Sequence, residues 1–221
     1  MARRYRDAGA DELVFYDITA SPEQRSVDRG WVGAVAHELD IPFCVAGGID
    51  SVDEAEAVLA AGADKISVNS PALRRPQLID ELAHRFGSQC VVVGIDSVLD
   101  SGEYRAQLFT GDARRSCDSG HATFEWLGEA QHRGAGEIVL NCMNSDGVRA
   151  GFDIEQLRTA REHCAVPLVA SGGAGNAAHF ADVFIEARVD GALAASVFHS
   201  GQLEIAALKT SLRARGVEVR T

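Results

Sequence analysis

The sequence repeats itself. GADELVFYD at 9–17 realigns with GAGEIVLNC at 134–142, IPFCVAGG at 41–48 with VPLVASGG at 166–173, and DKISVNS at 64–70 with DGALAAS at 190–196. Each pair lies about 125 residues apart. An offset held through three segments marks two copies of one array of elements, and such a repeat constrains the architecture more than any local propensity. The repeated segments are short runs that are apolar almost throughout, the pattern of parallel strands buried on both faces. Seven such runs occur, at 12–17, 41–46, 65–69, 90–96, 137–141, 166–171 and 192–196. Between them, apolar residues recur at spacings of three and four, as in Val52-Ala55-Val58-Leu59, Leu78-Leu82-Ala83-Phe86 and Phe180-Val183-Phe184-Ala187. Ala2–Ala8 reads as the tail of a helix before the first strand, giving eight helices in all. Strand and helix alternating this often predict a parallel α/β fold.

Two halves of about four βα units each predict a (βα)8 (TIM) barrel, which typically takes about 250 residues. No Pro/Gly/Ser-rich linker divides the chain, so 1–221 reads as one barrel domain. The repeat also exposes a gap: the strand at 90–96 has no counterpart 125 positions earlier. The expectation is a barrel whose first strand and following loop are missing from these residues. The longest irregular stretch, about 98–120, is expected to be a functional excursion over the site.

Composition narrows the function. The 221 residues carry 21 Lys plus Arg against 32 Asp plus Glu, a formal net charge of −11, which argues against a nucleic-acid partner. It leaves a phosphorylated small molecule open, because backbone N–H groups hold phosphate without net charge. No apolar run reaches the length of a membrane span, and the N-terminus lacks a signal-peptide apolar region. Five cysteines, odd in number and without a CxxC, make disulfides and zinc poor readings and the cytoplasm the better one. The histidines have no metal-ligand spacing; no metal and no cofactor is expected. Cys44 and Cys142 read as small core hydrophobes.

The glycine pairs Gly47-Gly48 and Gly172-Gly173 end strands, on the face where barrel enzymes place their chemistry. A glycine pair lets backbone N–H groups approach an anion with no Cβ in the way; the plainer alternative is that these glycines only turn the chain. Because the pair is duplicated, two phosphate cradles half a barrel apart, and hence a ligand with a phosphate at each end, are the better reading. The following strands end in Asn69-Ser70 and Ala195-Ser196. Asp96 ends its strand and can project into the barrel mouth, although a cap or solvated loop residue fits equally from position alone. Asp17 and Asp146 lie at or just past strand ends, and Asn141 and Asn144 read either as substrate contacts or as turn residues. Glu12, Lys65 and Glu137 open strands and gather at the opposite end, where a salt-bridge layer closing the barrel bottom is the simple reading.

The motifs FYDITAS (15–21), CVAGGI (44–49), GADKISVNSPAL (62–73), FGSQCVVVGID (86–96), GAGEIVLN (134–141), SDGVRAGFD (145–153), VASGGAG (169–175) and GALAASVFH (191–199) closely resemble the cyclase subunit of imidazole glycerol phosphate synthase, an enzyme of histidine biosynthesis. The resemblance runs from about residue 2 to the C-terminus. It implies a lyase that combines a ribulosyl formimino carboxamide nucleotide bisphosphate with ammonia, giving imidazole glycerol phosphate and an aminoimidazole carboxamide ribotide. It further implies that Gly48, Asn69 and Ser70 hold one phosphate and Gly172, Gly173, Ala195 and Ser196 the other. Asp96 matches the second of two acid–base aspartates, the first belonging to the missing strand, with Asp17, Asn141 and Asp146 in supporting roles. Glu12, Lys65 and Glu137 match three of four members of a charged ring through which ammonia enters, and Asp64 matches a contact to the glutaminase (amidotransferase) subunit that supplies it. Two alternatives stand beside this: the bisphosphate isomerase of the same pathway, and an inactive barrel fragment retaining phosphate and partner binding. FGSQCVVVGID and the charged ring argue against the isomerase.

Overall fold

The computed structural model describes residues 1–17 and 27–220; positions 18–21 of the FYDITAS motif lie outside them. Seven parallel strands form the body of the sheet: β1 (Leu13–Tyr16), β2 (Phe43–Ala46), β3 (Lys65–Val68), β4 (Val91–Asp100), β7 (Glu137–Cys142), β8 (Leu168–Ser171) and β9 (Gly191–Leu193), hydrogen-bonded in that order. All seven runs expected from the sequence are strands, in a curled parallel sheet of the (βα)8 class. Among the described residues β1 and β9 pair only with β2 and β8 respectively, so the parallel part of the sheet they form has an open edge at each end.

Helices cover the outer face: α1 (Ala2–Asp7), α2 (Arg29–Ala36), α3 (Val52–Ala60), α4 (Ser70–Arg74), α5 (Gln77–Phe86), α6 (Thr123–His132), α7 (Ile154–His163), α8 (Ala177–Asp182), α9 (Ser196–His199) and α10 (Ile205–Ala214). Local chemistry starts several of them. The Ser51 hydroxyl accepts from the Glu54 amide at α3, and the Asp153 carboxylate from the Gln156 amide at α7, each satisfying a donor the helix leaves open. The expected helix over 180–187 instead changes at Val183 into a π-helical turn that ends at Arg188, in the left-handed region with φ 55°. Among the described residues there are two α-helices more than the expected eight. These are the short α4 and α9, which follow β3 and β9 at equivalent positions of the repeat, so the duplication seen in sequence is also a duplication of form.

The stretch 98–120 is the main correction. Most of it is regular, with only 109–116 left as a loop: β4 runs on to Asp100, turns through Ser101 (φ 50°) and Gly102 (φ 89°), and returns as β5 (Glu103–Leu108), which pairs with β6 (Cys117–Ala122). Two successive positive φ values match the right-handed strand twist and close a two-residue hairpin. The Ser-Gly dipeptide before the alternating Tyr104-Arg105-Ala106-Gln107-Leu108 carried that signal.

The pleat sorts the strands into two faces. Odd residues of β4 and even residues of β7, including Val91, Val93, Ile95, Ile138 and Leu140, join the large core under the helices. Their neighbours Val92 and Val139 turn inward and form a separate cluster with Cys44, against which Val14, Val169 and Leu193 pack. This inner layer divides the barrel interior into a charged floor and a polar mouth. Burial pushes the thiols of Cys44 and Cys142 well up, so both stay protonated and behave as small hydrophobes.

Candidate active site

Inward-facing positions repeat every second residue, and β7 shows what that does. Glu137 lies at the floor, Val139 in the apolar layer and Asn141 at the mouth, while β3 runs likewise from Lys65 through Ser67 to Asn69. Val92 and Asp96 share the inward face of β4. The mouth opens into one cavity of about 560 Å³, within the range of small-molecule sites.

Asp96 sits on the middle strand of the seven. Asn69 Nδ2 donates to its Oδ2 at 2.7 Å, Asn141 Nδ2 to its Oδ1 at 2.8 Å, and the Thr110 hydroxyl also to Oδ2. Both amides thus turn their NH2 groups toward the carboxylate oxygens, which accept from them. That leaves Asn69 Oδ1 and Asn141 Oδ1 buried without partners. Each is an acceptor costing about 1–3 kcal/mol while unmet, ready for donors on a ligand. The arrangement removes one alternative for Asn141, which lies in β7 opposite Asp96 in the ladder and not in a turn. Asn144 serves structure, since its side-chain oxygen accepts from the Leu99 amide at 2.8 Å and ties β4 near the hairpin turn to the loop after β7.

Thr110 was not legible in the sequence. It sits in the β5–β6 loop behind Phe109, whose φ of 57° is uncommon for a bulky side chain and marks strain of the kind found near sites. The Phe109 amide donates to Ser70 Oγ at 2.9 Å, pinning this loop to the start of α4 and leaving the Ser70 hydroxyl proton free to donate. Behind Asp96, the next residue Ser97 meets Thr123 Oγ1 at 2.7 Å and also accepts from Gln156 Nε2, all three wholly buried. Ser97 pairs at once with Cys142 of β7 and Ala106 of β5, so this polar cluster fixes the point where the hairpin leaves the sheet.

The glycine pairs flank Asp96 in strand order, one after β2 and the other after β8. All four glycines have positive φ, from 67° at Gly48 to 106° at Gly173. A Cβ on Gly47 would stand 2.3 Å from the Asp17 carbonyl oxygen, and one on Gly172 would stand 2.7 Å from that of Cys142. Asp17 and Cys142 are themselves repeat equivalents, so the two halves make the same backbone contact. Gly48, Asn69 and Ser70 line the cavity on one side and Gly172, Gly173, Ala195 and Ser196 on the other, with Asp17 and Asp146 also on its wall.

At the floor, Lys65 Nζ bonds Glu12 at 2.8 Å and Glu137 at 2.7 Å. Burial pulls the ammonium pKa down, but the two carboxylates outweigh it and leave the lysine raised. Burial raises the Glu12 carboxyl, against the pull of Lys65. Beside them the Asp64 carboxylate accepts from the Phe43 amide at 2.9 Å, as its repeat equivalent Asp190 accepts from Leu168 at 2.8 Å.

A family described as histidine biosynthesis protein matches residues 1–204. The imidazole glycerol phosphate synthase subunit HisF of Xanthomonas campestris is 65% identical over all 221 residues, that of Xanthomonas oryzae 65% and that of Stenotrophomonas maltophilia 62%; in each case the match covers 86% of the relative. The chain belongs to the HisF family. Within the HisF family the relatives separate the two enzymatic readings open at the sequence level, since they carry the synthase subunit's name and not that of an isomerase. A subunit by name, a HisF protein is one component of a larger synthase. Among the described residues no helix is long and apolar enough to cross a membrane.

Proposed function

We propose that the chain performs the cyclase step of imidazole glycerol phosphate synthase, with the bisphosphate substrate laid across the mouth from one glycine cradle to the other and Asp96 beneath its reacting middle. The observation that carries this reading is the strand order: both cradles open into one cavity, and the central strand between them presents a carboxylate held by three side-chain donors.

The backbone N–H groups and the Ser70 and Ser196 hydroxyls hold the terminal phosphates. Asn69 Oδ1 and Asn141 Oδ1 accept from donors on the chain between them, while Asp17 and Asp146 orient hydroxyls from the wall. Ammonia condenses with the ketone of the ribulosyl chain, whose oxygen leaves as water, the imidazole ring closes around the new nitrogen, and the aminoimidazole carboxamide ribotide leaves. Protons must leave the incoming nitrogen and reach the departing group at two separated places, and Asp96 serves one of them. The partner is a glutaminase subunit, which docks at the floor near Asp64 and releases ammonia through the Glu12–Lys65–Glu137 layer. No cofactor takes part.

The test is an assay with ammonia supplied directly and the bisphosphate as substrate, on a chain in which an eighth strand fills the space between β1 and β9. Ammonia-dependent appearance of both products is expected. Isomerisation of a bisphosphate without ammonia would favour the isomerase, and binding without turnover would favour the inactive fragment.

A further inference from the structure

Among the described residues Arg149 is the only Lys or Arg lining the cavity, whose wall otherwise carries Asp17, Asp96 and Asp146. Its loop is seated on the second cradle. The Gly151 amide donates to the Gly173 carbonyl at 2.9 Å, and a Cβ on Gly175 would stand 2.1 Å from the Arg149 carbonyl oxygen. The Arg149 backbone is left-handed, with φ 61°, so the residue is placed by its contacts and not by intrinsic preference. Its side chain is held lightly: Nη1 reaches Gln202 Oε1 at 3.4 Å, and Gln202 in turn donates to the Gly175 carbonyl at 3.0 Å. Among the described residues no carboxylate pairs with this guanidinium. It is an exposed cation at the rim of one cradle, and the described residues of the other cradle offer none.

Two cradles built alike would accept a molecule with a phosphate at each end in either direction, yet Asp96 chemistry needs one direction only. We propose that Arg149 breaks this symmetry by binding the phosphate in the Gly172–Gly173 cradle, making that cradle the stronger of the two and so fixing how the substrate lies. The inference rests on the two-cradle reading above. The planar guanidinium suits phosphate oxygens, to which it can donate two parallel hydrogen bonds. A charge-assisted bond of this kind corresponds to about 10- to 100-fold in affinity.

The experiment titrates inorganic phosphate into the full chain, following the backbone amide resonances of Gly48 and Gly173 separately. In the wild type both respond, Gly173 at the lower concentration. Arg149→Gln raises the concentration needed at Gly173 by about 10- to 100-fold and leaves Gly48 unchanged, while Arg149→Lys restores part of the loss. An unchanged Gly173 response in Arg149→Gln overturns the inference, as does an equal loss at both cradles, which would report only the change in overall charge. If phosphate moves neither amide in the wild type, the two-cradle reading itself fails.

Discussion

Replacing Asp96 by Asn stops turnover while leaving bisphosphate affinity nearly intact. One positioned general acid or base is typically worth about 10²- to 10⁴-fold, and the substitution removes it without opening space. The network adds a further effect. The introduced amide brings an NH2 group of its own to a place where Asn69, Asn141 and Thr110 all donate, so at least one of these bonds is lost. The check is ammonia-dependent kcat in the barrel closed by an eighth strand, beside calorimetric titration of the bisphosphate with wild type and variant. Full activity of Asp96→Asn would remove Asp96 from the mechanism.

Filling the space between β1 and β9 changes the behaviour of the whole molecule. Unpaired parallel edges recruit other chains, so with the outer sides of β1 and β9 open the chain is expected to associate through them. A strand pairing with both edges satisfies their open backbone groups and covers Val14 and Leu193, already packed on the inner cluster. Burying even two or three apolar side chains is worth about 5 kcal/mol. For a chain of this size that corresponds to a rise in Tm of roughly 10–20 °C. Light scattering and a melting curve, with and without the added strand, report both changes. A monodisperse monomer that melts cooperatively without the strand would contradict this account of the edges.

The repeat made the fold legible, because strands buried on both faces leave continuous apolar runs and the duplicated Gly-Gly pairs fall at their ends. Where side chains alternate, the same signal fades. In β5 the polar Glu103, Arg105 and Gln107 take every second position and β6 is polar or small almost throughout, so these strands escaped the apolar-run criterion, and with them went Thr110 in the loop between them, which reaches Asp96. Gln156 escaped for a different reason: a glutamine on a helix reads as a solvent-facing residue, and its burial against Ser97 and Thr123 is a fact of packing between distant elements. The roles of Asn69 and Asn141 were half visible. Their positions at strand ends were plain in the sequence, but their shared grip on one carboxylate depends on the ladder register that sets β3, β4 and β7 side by side.

The central claim is that one ligand spans both cradles, and titration of the bisphosphate substrate against paired variants tests it most directly. Ser70 and Ser196 are repeat equivalents on opposite sides of the cavity, and changing either to Asp sets a carboxylate against a phosphate. Calorimetry should show one bisphosphate per wild-type chain, with Ser70→Asp and Ser196→Asp each weakening it by at least about 10-fold, as expected when a charge-assisted contact becomes a repulsion. Binding that survives both substitutions unchanged, or that responds to only one of them, would contradict a ligand stretched from cradle to cradle.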